Sequence, residues 1–320
     1  MLDLLVPTVY ANFILVVNFI LQRVPCVQRL VFSEWWSELR RLIPCHLPAS
    51  GADLIFTNGY FPRGGSNLPV ILEADFFPYA PEMRKLLYIP KQIIEQTHTI
   101  CVRHELSLQA FKSLYPESVH KAVVIPFYMP YLEAIPLKDL ESKFSYTDTL
   151  RILFVGNDAR RKGLPELIQG WERLPKDLKR RIEFTVVSRF TDGHVKLPPE
   201  IKVYYGLSRS EVIALMQKSH VFAMLTRKDA YGKVYIEAMA SGCAILCPNI
   251  SPQKELFGSF GLAVDIAPPD AVARSIEKLV EDLDYCKSCA FKARSIFLEK
   301  YHHSLVGEKY WDIFRRAALG

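Results

Sequence analysis

A chain of 320 residues, 50% apolar and 23% charged, has material for two cores of roughly 150 residues each and is not a disordered protein. Lys plus Arg total 40 against 34 Asp plus Glu, a net charge of +6. That mildly basic balance suits phosphate-bearing ligands or an anionic membrane surface, and the clustered basic and aromatic residues of a nucleic-acid module are absent. The seven cysteines are odd in number and several sit in apolar runs, which reads as buried, reduced thiols of a cytoplasmic protein rather than a disulfide framework.

The first element is Leu4 to Gln22, 19 positions without a charge. Pro7, Asn12, Asn18 and Gln22 interrupt it and no basic segment precedes it, so it reads as buried strand and helix rather than signal peptide or membrane span. Val31 to Ile43 carries Trp35, Trp36, Arg40 and Arg41. These suit packing on the N-terminal domain or, as the other reading, peripheral contact with the inner face of a membrane. Strands are predicted at Ala52–Asn58, Leu68–Leu72, Thr99–Arg103 and Ala122–Pro126, with a helix at Lys91–Thr97. The polar stretch Tyr128–Thr149, with Pro130 and Pro136, predicts a linker, so an N-terminal domain is assigned to residues 1–145.

A second domain, residues 146–302, alternates strand and helix. Strands are predicted at Leu150–Val155, Ile182–Ser188, Ile201–Tyr205, Val221–Thr226 and Cys243–Cys247. Helices are predicted at Leu164–Leu174, from Ser208 with Glu211 completing a capping box, at Val234–Ala240 ended by Gly242, and after an Asp270 cap. Apolar strands without polar alternation are buried on both faces, which implies α/β architecture with a parallel sheet. Ligands then bind beyond the carboxyl ends of the strands. A last helix, Ser304–Ala318, sets Leu305, Tyr310, Trp311 and Phe314 along one side, and residues 303–320 are expected to return to the N-terminal domain.

Two stretches after strands carry candidate chemistry. In DAYGKVYIEAMASG, Asp229 follows a strand and Glu237 lies one turn into the next helix. Gly232 opens that helix, leaving free N–H groups near Lys233 and Val234 where a diphosphate would sit, with sugar hydroxyls able to donate to the two carboxylates. In GNDARRKG, residues 156–163, Arg160, Arg161 and Lys162 stand at the rim where phosphates would bind. Capped helices with solvated charges would read the same way in either stretch. Cys286-x-x-Cys289 has no second pair, and Asp282-x-Asp284 follows no strand, so neither is read as a metal site.

FVGNDARRKG, YYGLSRSEV and DAYGKVYIEAMASGCAILCPN, in this order and spacing, resemble the retaining family-4 glycosyltransferases, strongly over residues 150–300 and weakly over 50–130. The resemblance implies a GT-B fold, with two Rossmann-like domains facing across a cleft, and a hexosyltransferase of polysaccharide biosynthesis using a UDP- or GDP-sugar donor. It implies that Asp229 holds donor-sugar hydroxyls, Glu237 holds the ribose, and Arg161 and Lys162 neutralise the diphosphate. Gly156, Asn157, Gly232, Lys233 and Val234 then belong to the donor site, and the backbone of Gly206 and Leu207 reads the base. Acceptors would be glycans, lipid-linked sugars or small molecules. No cofactor and no metal are expected.

Three features depart from that pattern. Residues 1–30 contain no glycine, so the family's Gly-rich first loop is shortened or absent, and Asp75 stands where a His is common, on the acceptor side. Asp229 itself replaces the usual Glu. A non-catalytic relative that binds a nucleotide sugar or a partner protein is therefore the alternative. No G-x-G-x-x-G follows any strand, which excludes a nicotinamide oxidoreductase.

Overall fold

The computed structural model describes residues 55–58, 69–74, 91–145, 148–188, 195–229 and 231–319. The expectations for residues 4–22 and 31–43 and for Asp75 lie outside them. The chain divides into two compact units, residues 1–126 with 307–320, and residues 127–306.

The first unit has a four-stranded parallel sheet, order β1-β2-β3-β4, formed by β1 (Ile55–Asn58), β2 (Val70–Glu73), β3 (Thr97–Val102) and β4 (Ala122–Val124). Helix α1 (Lys91–Gln96) leads into β3, and α2 (Glu105–Leu114) connects β3 to β4. His104 caps α2 by accepting the N–H of Ser107 at 3.2 Å. Leu72, Ile94, Ile100, Val102 and Phe111 form its buried core. The C-terminal helix α11 runs His303–Leu319. Its Tyr310 and Phe314 rings meet Phe56 edge-on at 5.9 and 5.3 Å, and Tyr310 Oη accepts from Arg103 at 2.9 Å and donates to Glu73. Trp311 and Leu305, predicted on the packed side, are 54% and 37% exposed. The helix buries the stripe Val306, Tyr310, Ile313 and Ala317 instead, which keeps strict i, i+3/i+4 spacing.

The second unit holds a six-stranded parallel sheet, order β10-β9-β8-β5-β6-β7. Its strands are β5 (Leu150–Val155), β6 (Ile182–Ser188), β7 (Lys202–Tyr205), β8 (Val221–Ala223), β9 (Ala244–Pro248) and β10 (Gly261–Val264). Central β8 and β9 are buried throughout, while the edge strand β7 exposes Lys202, Tyr204 and Tyr205. Helix α3 (Leu137–Lys143) precedes the sheet. Helices α4 (Leu164–Arg173), α5 (Lys176–Arg180), α6 (Arg209–Lys218), α7 (Lys233–Ala240), α8 (Gln253–Phe257), α9 (Pro269–Glu281) and α10 (Leu283–Ile296) follow in turn. The capping box at Ser208 and Glu211 forms, each side chain bonded to the other's backbone N–H.

Two expectations are corrected. Residues 127–145 are not a linker: Met129, Leu132, Ile135 and Leu140 are buried in the core of the second unit. The Ile135 N–H donates to Ala240 O at 2.8 Å. Lys143 Nζ donates to the carbonyls of Ser219, Ser241 and Gly242 at 3.0, 2.8 and 2.6 Å, a cation at the carboxyl ends of α6 and α7. The four apolar side chains were spaced too irregularly for a local pattern to show. Asp270 does not cap α9. Pro268 holds the cap position without a side-chain bond, and Asp270, in the first turn, accepts from Arg173 of α4.

Candidate donor-binding site

Chain order along the second sheet reverses at β5. From β5 the chain runs outward to β6 and β7, then returns to the other flank of β5 as β8. Diverging crossovers leave a crevice beyond the carboxyl ends of the two strands at such a switch point. The loops there are residues 156–163 after β5 and residues 224–232 after β8. The first is the basic stretch singled out in the sequence, and the second leads into the acidic stretch Asp229–Gly242.

The first loop packs closely because of its glycines. Gly163 has φ +76°, and a Cβ there would lie 2.0 Å from Leu225 O. Any other residue would push the two loops apart. Asp158 accepts from the Arg161 N–H and from Arg161 Nε, both at 3.0 Å, and Arg161 also donates to Lys228 O at 3.0 Å. The Arg227 N–H donates to Arg161 O at 2.8 Å, and the Arg227 guanidinium pairs with Glu166 of α4. The loops are thus laced by backbone and side-chain bonds.

Lys162 Nζ pairs with Asp229 across the switch point, with side-chain exposures of 14% and 15%. Gln253 fixes the Asp229 backbone by donating to its carbonyl at 3.0 Å. Gly156 packs where a Cβ would come within 3.2 Å of the Lys162 stem, so the glycine leaves that stem its room. Asn157 follows Gly156 in the same loop.

Gly232, at φ +82°, is the residue before α7. Lys233 and Val234 are the first residues of that helix, where backbone N–H groups have no partner within the helix. The Lys233 ammonium lies 3.9 Å over the Phe127 ring. One turn on, Glu237 Oε1 accepts from the Tyr131 hydroxyl at 2.8 Å and lies 3.9 Å from Arg209 Nε, the first residue of α6. The Arg209 guanidinium stacks 4.4 Å over the Tyr131 ring. Burial pushes the Glu237 carboxyl above its usual range, opposed by the Tyr131 hydrogen bond and the charges of Arg209 and Lys233. The same burial and the neighbouring carboxylate raise the Tyr131 phenol to about 12. Gly206, at φ +66° with open space where a Cβ would be, and Leu207 follow β7 just before α6.

The structure therefore brings Lys162 to Asp229 and builds a separate group of Glu237, Tyr131 and Arg209. Arg161 faces Asp158 rather than Asp229. Tyr131 and Arg209 carried no signal in the sequence, because their partner is 106 and 28 positions away (237 − 209 = 28). The two discounted motifs have structural explanations. Asp282 caps α10 by accepting the Tyr285 N–H at 2.8 Å, and Cys286 and Cys289 are buried in the core. Among the described residues, one group of side chains could hold a metal ion: Glu133, His302 and His303.

A parallel doubly wound sheet with basic and acidic groups gathered at its switch point marks an α/β protein, and its likeness to solved structures gives the class, the GT-B fold. The sucrose-phosphate synthase of Thermosynechococcus elongatus matches over 84% of this chain and 74% of its own, with a TM-score of 0.64 at 16% identity. The glycosyltransferase WaaG of lipopolysaccharide biosynthesis matches over 82% and 78%, with a TM-score of 0.61 at 16% identity. Residues 138–296 match the family model described as Glycosyl transferases group 1, and the chain belongs to that family through this domain.

A relative from Campylobacter jejuni, N-acetylgalactosamine-N,N'-diacetylbacillosaminyl-diphospho-undecaprenol 4-alpha-N-acetylgalactosaminyltransferase, is 30% identical over 169 residues, 51% of this chain and 44% of that protein. The chain spans about half the length of the curated relatives it matches. No helix among the described residues is long and apolar enough to cross a membrane.

Proposed function

We propose that this chain is a retaining glycosyltransferase that moves a hexose from a UDP- or GDP-sugar to a glycan, lipid-linked or small-molecule acceptor, without a metal ion at the donor diphosphate. The observation that carries this reading is the meeting of Lys162 and Asp229 from the two loops at the switch point. The free N–H groups of α7 and Glu237 lie on the same chain segment as Asp229. An anionic diphosphate suits the amino end of α7, with Lys162 and Arg161 as the cations that balance it. Glu237 accepts from ribose hydroxyls and Asp229 from sugar hydroxyls. A structure from Anabaena with UDP-glucose bound, 14% identical with a TM-score of 0.59, supports a nucleotide-sugar donor.

In the step itself, the acceptor hydroxyl attacks the anomeric carbon on the face from which the diphosphate departs. The bond to the donor phosphate oxygen breaks, and that oxygen takes the acceptor's proton. Lys162 Nζ meets the charge that builds there, a contact stronger in the transition state than in the ground state. A thermal-shift screen with UDP, GDP, ADP and their sugars tests the donor. A nucleotide at a hundred times its Kd raises stability by about 2.7 kcal/mol. A shift with no transfer or hydrolysis of any donor would support the non-catalytic alternative, and no shift with any nucleotide sugar would overturn the proposal.

A further inference from the structure

Near the end of the second unit, a π-helical turn, Phe297–Tyr301, precedes α11. Such turns are rare and often found at functional positions. This one is rigid. Phe297 and Tyr301 are buried, the His302 N–H donates to Phe297 O at 3.0 Å, and the His302 ring meets the Phe297 ring edge-on at 6.0 Å. His302 and His303 leave this anchor with their rings 4.4 Å apart and inclined by 32°. Both direct Nε2 to one carboxylate: His303 Nε2 is 2.7 Å from Glu133 Oε1, and His302 Nε2 is 3.2 Å from Glu133 Oε2. Glu133 follows the turn closed by the Leu132 N–H on Met129 O at 3.1 Å, and Leu132 is buried. The histidines are 21% and 28% exposed and Glu133 is 69% exposed.

We propose that Glu133, His302 and His303 bind one divalent transition-metal ion of the zinc type. All three ligand atoms lie within 4.8 Å of one another. Two imidazoles and one carboxylate form a donor set that favours zinc and its neighbours over magnesium or calcium, which take oxygen ligands. His302 Nδ1 lies 2.8 Å from Ser304 Oγ, the outer partner that a metal-bound imidazole commonly keeps. The Ser304 N–H also lies 3.4 Å from His302 Nδ1, a longer contact that suits the ring with Nδ1 unprotonated. A metal on Nε2 selects the other tautomer, in which Nδ1–H donates to the hydroxyl and the Nε2 lone pair turns to the same point as the carboxylate. A cation satisfies both. Water reaches the exposed cluster and can take the fourth position. The ion would fasten Glu133 to the histidine pair across 169 and 170 positions of sequence, tying the start of the second unit to its end. The site is independent of the glycosyl-transfer reading, because none of its residues belongs to the proposed donor machinery.

The test is a calorimetric zinc titration of the full chain, freed of any affinity tag, beside Glu133→Gln, His303→Asn and the double variant. One zinc per chain is expected, with each single variant weakening it by at least about tenfold, and with excess Mg²⁺ unable to compete. A zinc-dependent rise in Tm should appear in the wild type and vanish in the double variant. Both substitutions are at exposed or partly exposed positions, so folding without zinc should be unchanged, which circular dichroism reports. Equal zinc affinity in wild type and double variant would place the metal elsewhere, for instance on cysteines, and overturn the proposal. So would the absence of zinc binding in the wild type, which would leave the cluster as a protonated His–Glu group.

Discussion

Lys162 and Asp229 are 67 residues apart in sequence and form an ion pair at the switch point of the second sheet, each about one-seventh exposed. The pair gives Lys162 two tasks, holding Asp229 and meeting a diphosphate. Lys162→Ala should therefore lower kcat by roughly a hundred- to a thousandfold, about 2.7–4 kcal/mol by analogy with the loss of one oxyanion donor. It should also lower Tm, because Asp229 is left without its partner in a largely enclosed place. Adding Asp229→Asn should recover part of that Tm loss but none of the rate. Wild-type turnover in Lys162→Ala would remove the lysine from the mechanism.

Arg161 should matter less. Its guanidinium is already engaged by Asp158 and Lys228 O and is half exposed. Arg161→Ala should cost about 1.5 kcal/mol in kcat/KM, the lower end for a hydrogen bond to a charged group and roughly tenfold. Steady-state kinetics of the two alanine variants side by side checks the order. An equal loss would mean that Arg161 leaves Asp158 when donor binds.

Asp229 and Glu237 should fail in different ways. Glu237→Gln removes a contact made equally in ground and transition states and should mainly raise the donor KM. Asp229→Asn should mainly lower kcat, through both the sugar contact and the position of Lys162. Asp229→Glu distinguishes a merely shortened acid, in which transfer is kept or improved, from a pocket built around Asp, in which it is blocked. Unchanged kinetics in all three would make these acids structural.

Glu237 also sets a pH dependence. Burial raises its pKa above 4.5, so between 4.5 and the raised value the folded state holds more protons than the unfolded one. Stability from this group is therefore lost as pH rises through that window. Donor affinity runs the other way: the carboxylate must be charged to hold ribose hydroxyls, so affinity falls as pH drops through the raised value. Tyr131 opposes the rise by donating to Glu237. Tyr131→Phe should move the acid limb of donor affinity to higher pH with little change at pH 8, read by calorimetry across pH 5–8. An unmoved limb would separate Tyr131 from the donor site.

Transfer should survive EDTA, in the wild type and equally in Glu133→Gln, where the proposed zinc cluster is disabled. The donor diphosphate is balanced by Lys162, Arg161 and helix dipole in this reading. Complete loss restored by Mg²⁺ or Mn²⁺ in both proteins would replace that mechanism with a metal-assisted one.

Much of this protein was legible in the sequence because the relevant physics is local. Apolar runs such as LRILFV, broken only by Arg151, and CAILC read as strands buried on both faces, the Ser208–Glu211 box starts a helix within four residues, and Gly232 opens another. These signals placed GNDARRKG and DAYGKVYIEAMASG at the carboxyl ends of strands. The tertiary structure alone decided strand order, and with it that the loops after β5 and β8 are neighbours, so that Lys162 meets Asp229 instead of solvent. It also decided that residues 127–145 belong to a core, that Tyr131 and Arg209 bracket Glu237, that Trp311 faces outward while Tyr310 and Phe314 are packed, and that Glu133 meets two histidines. Period and capping are properties of a few consecutive residues. Which strand lies beside which is set by long-range burial and the crossover paths of the whole chain, and no short window of sequence contains it.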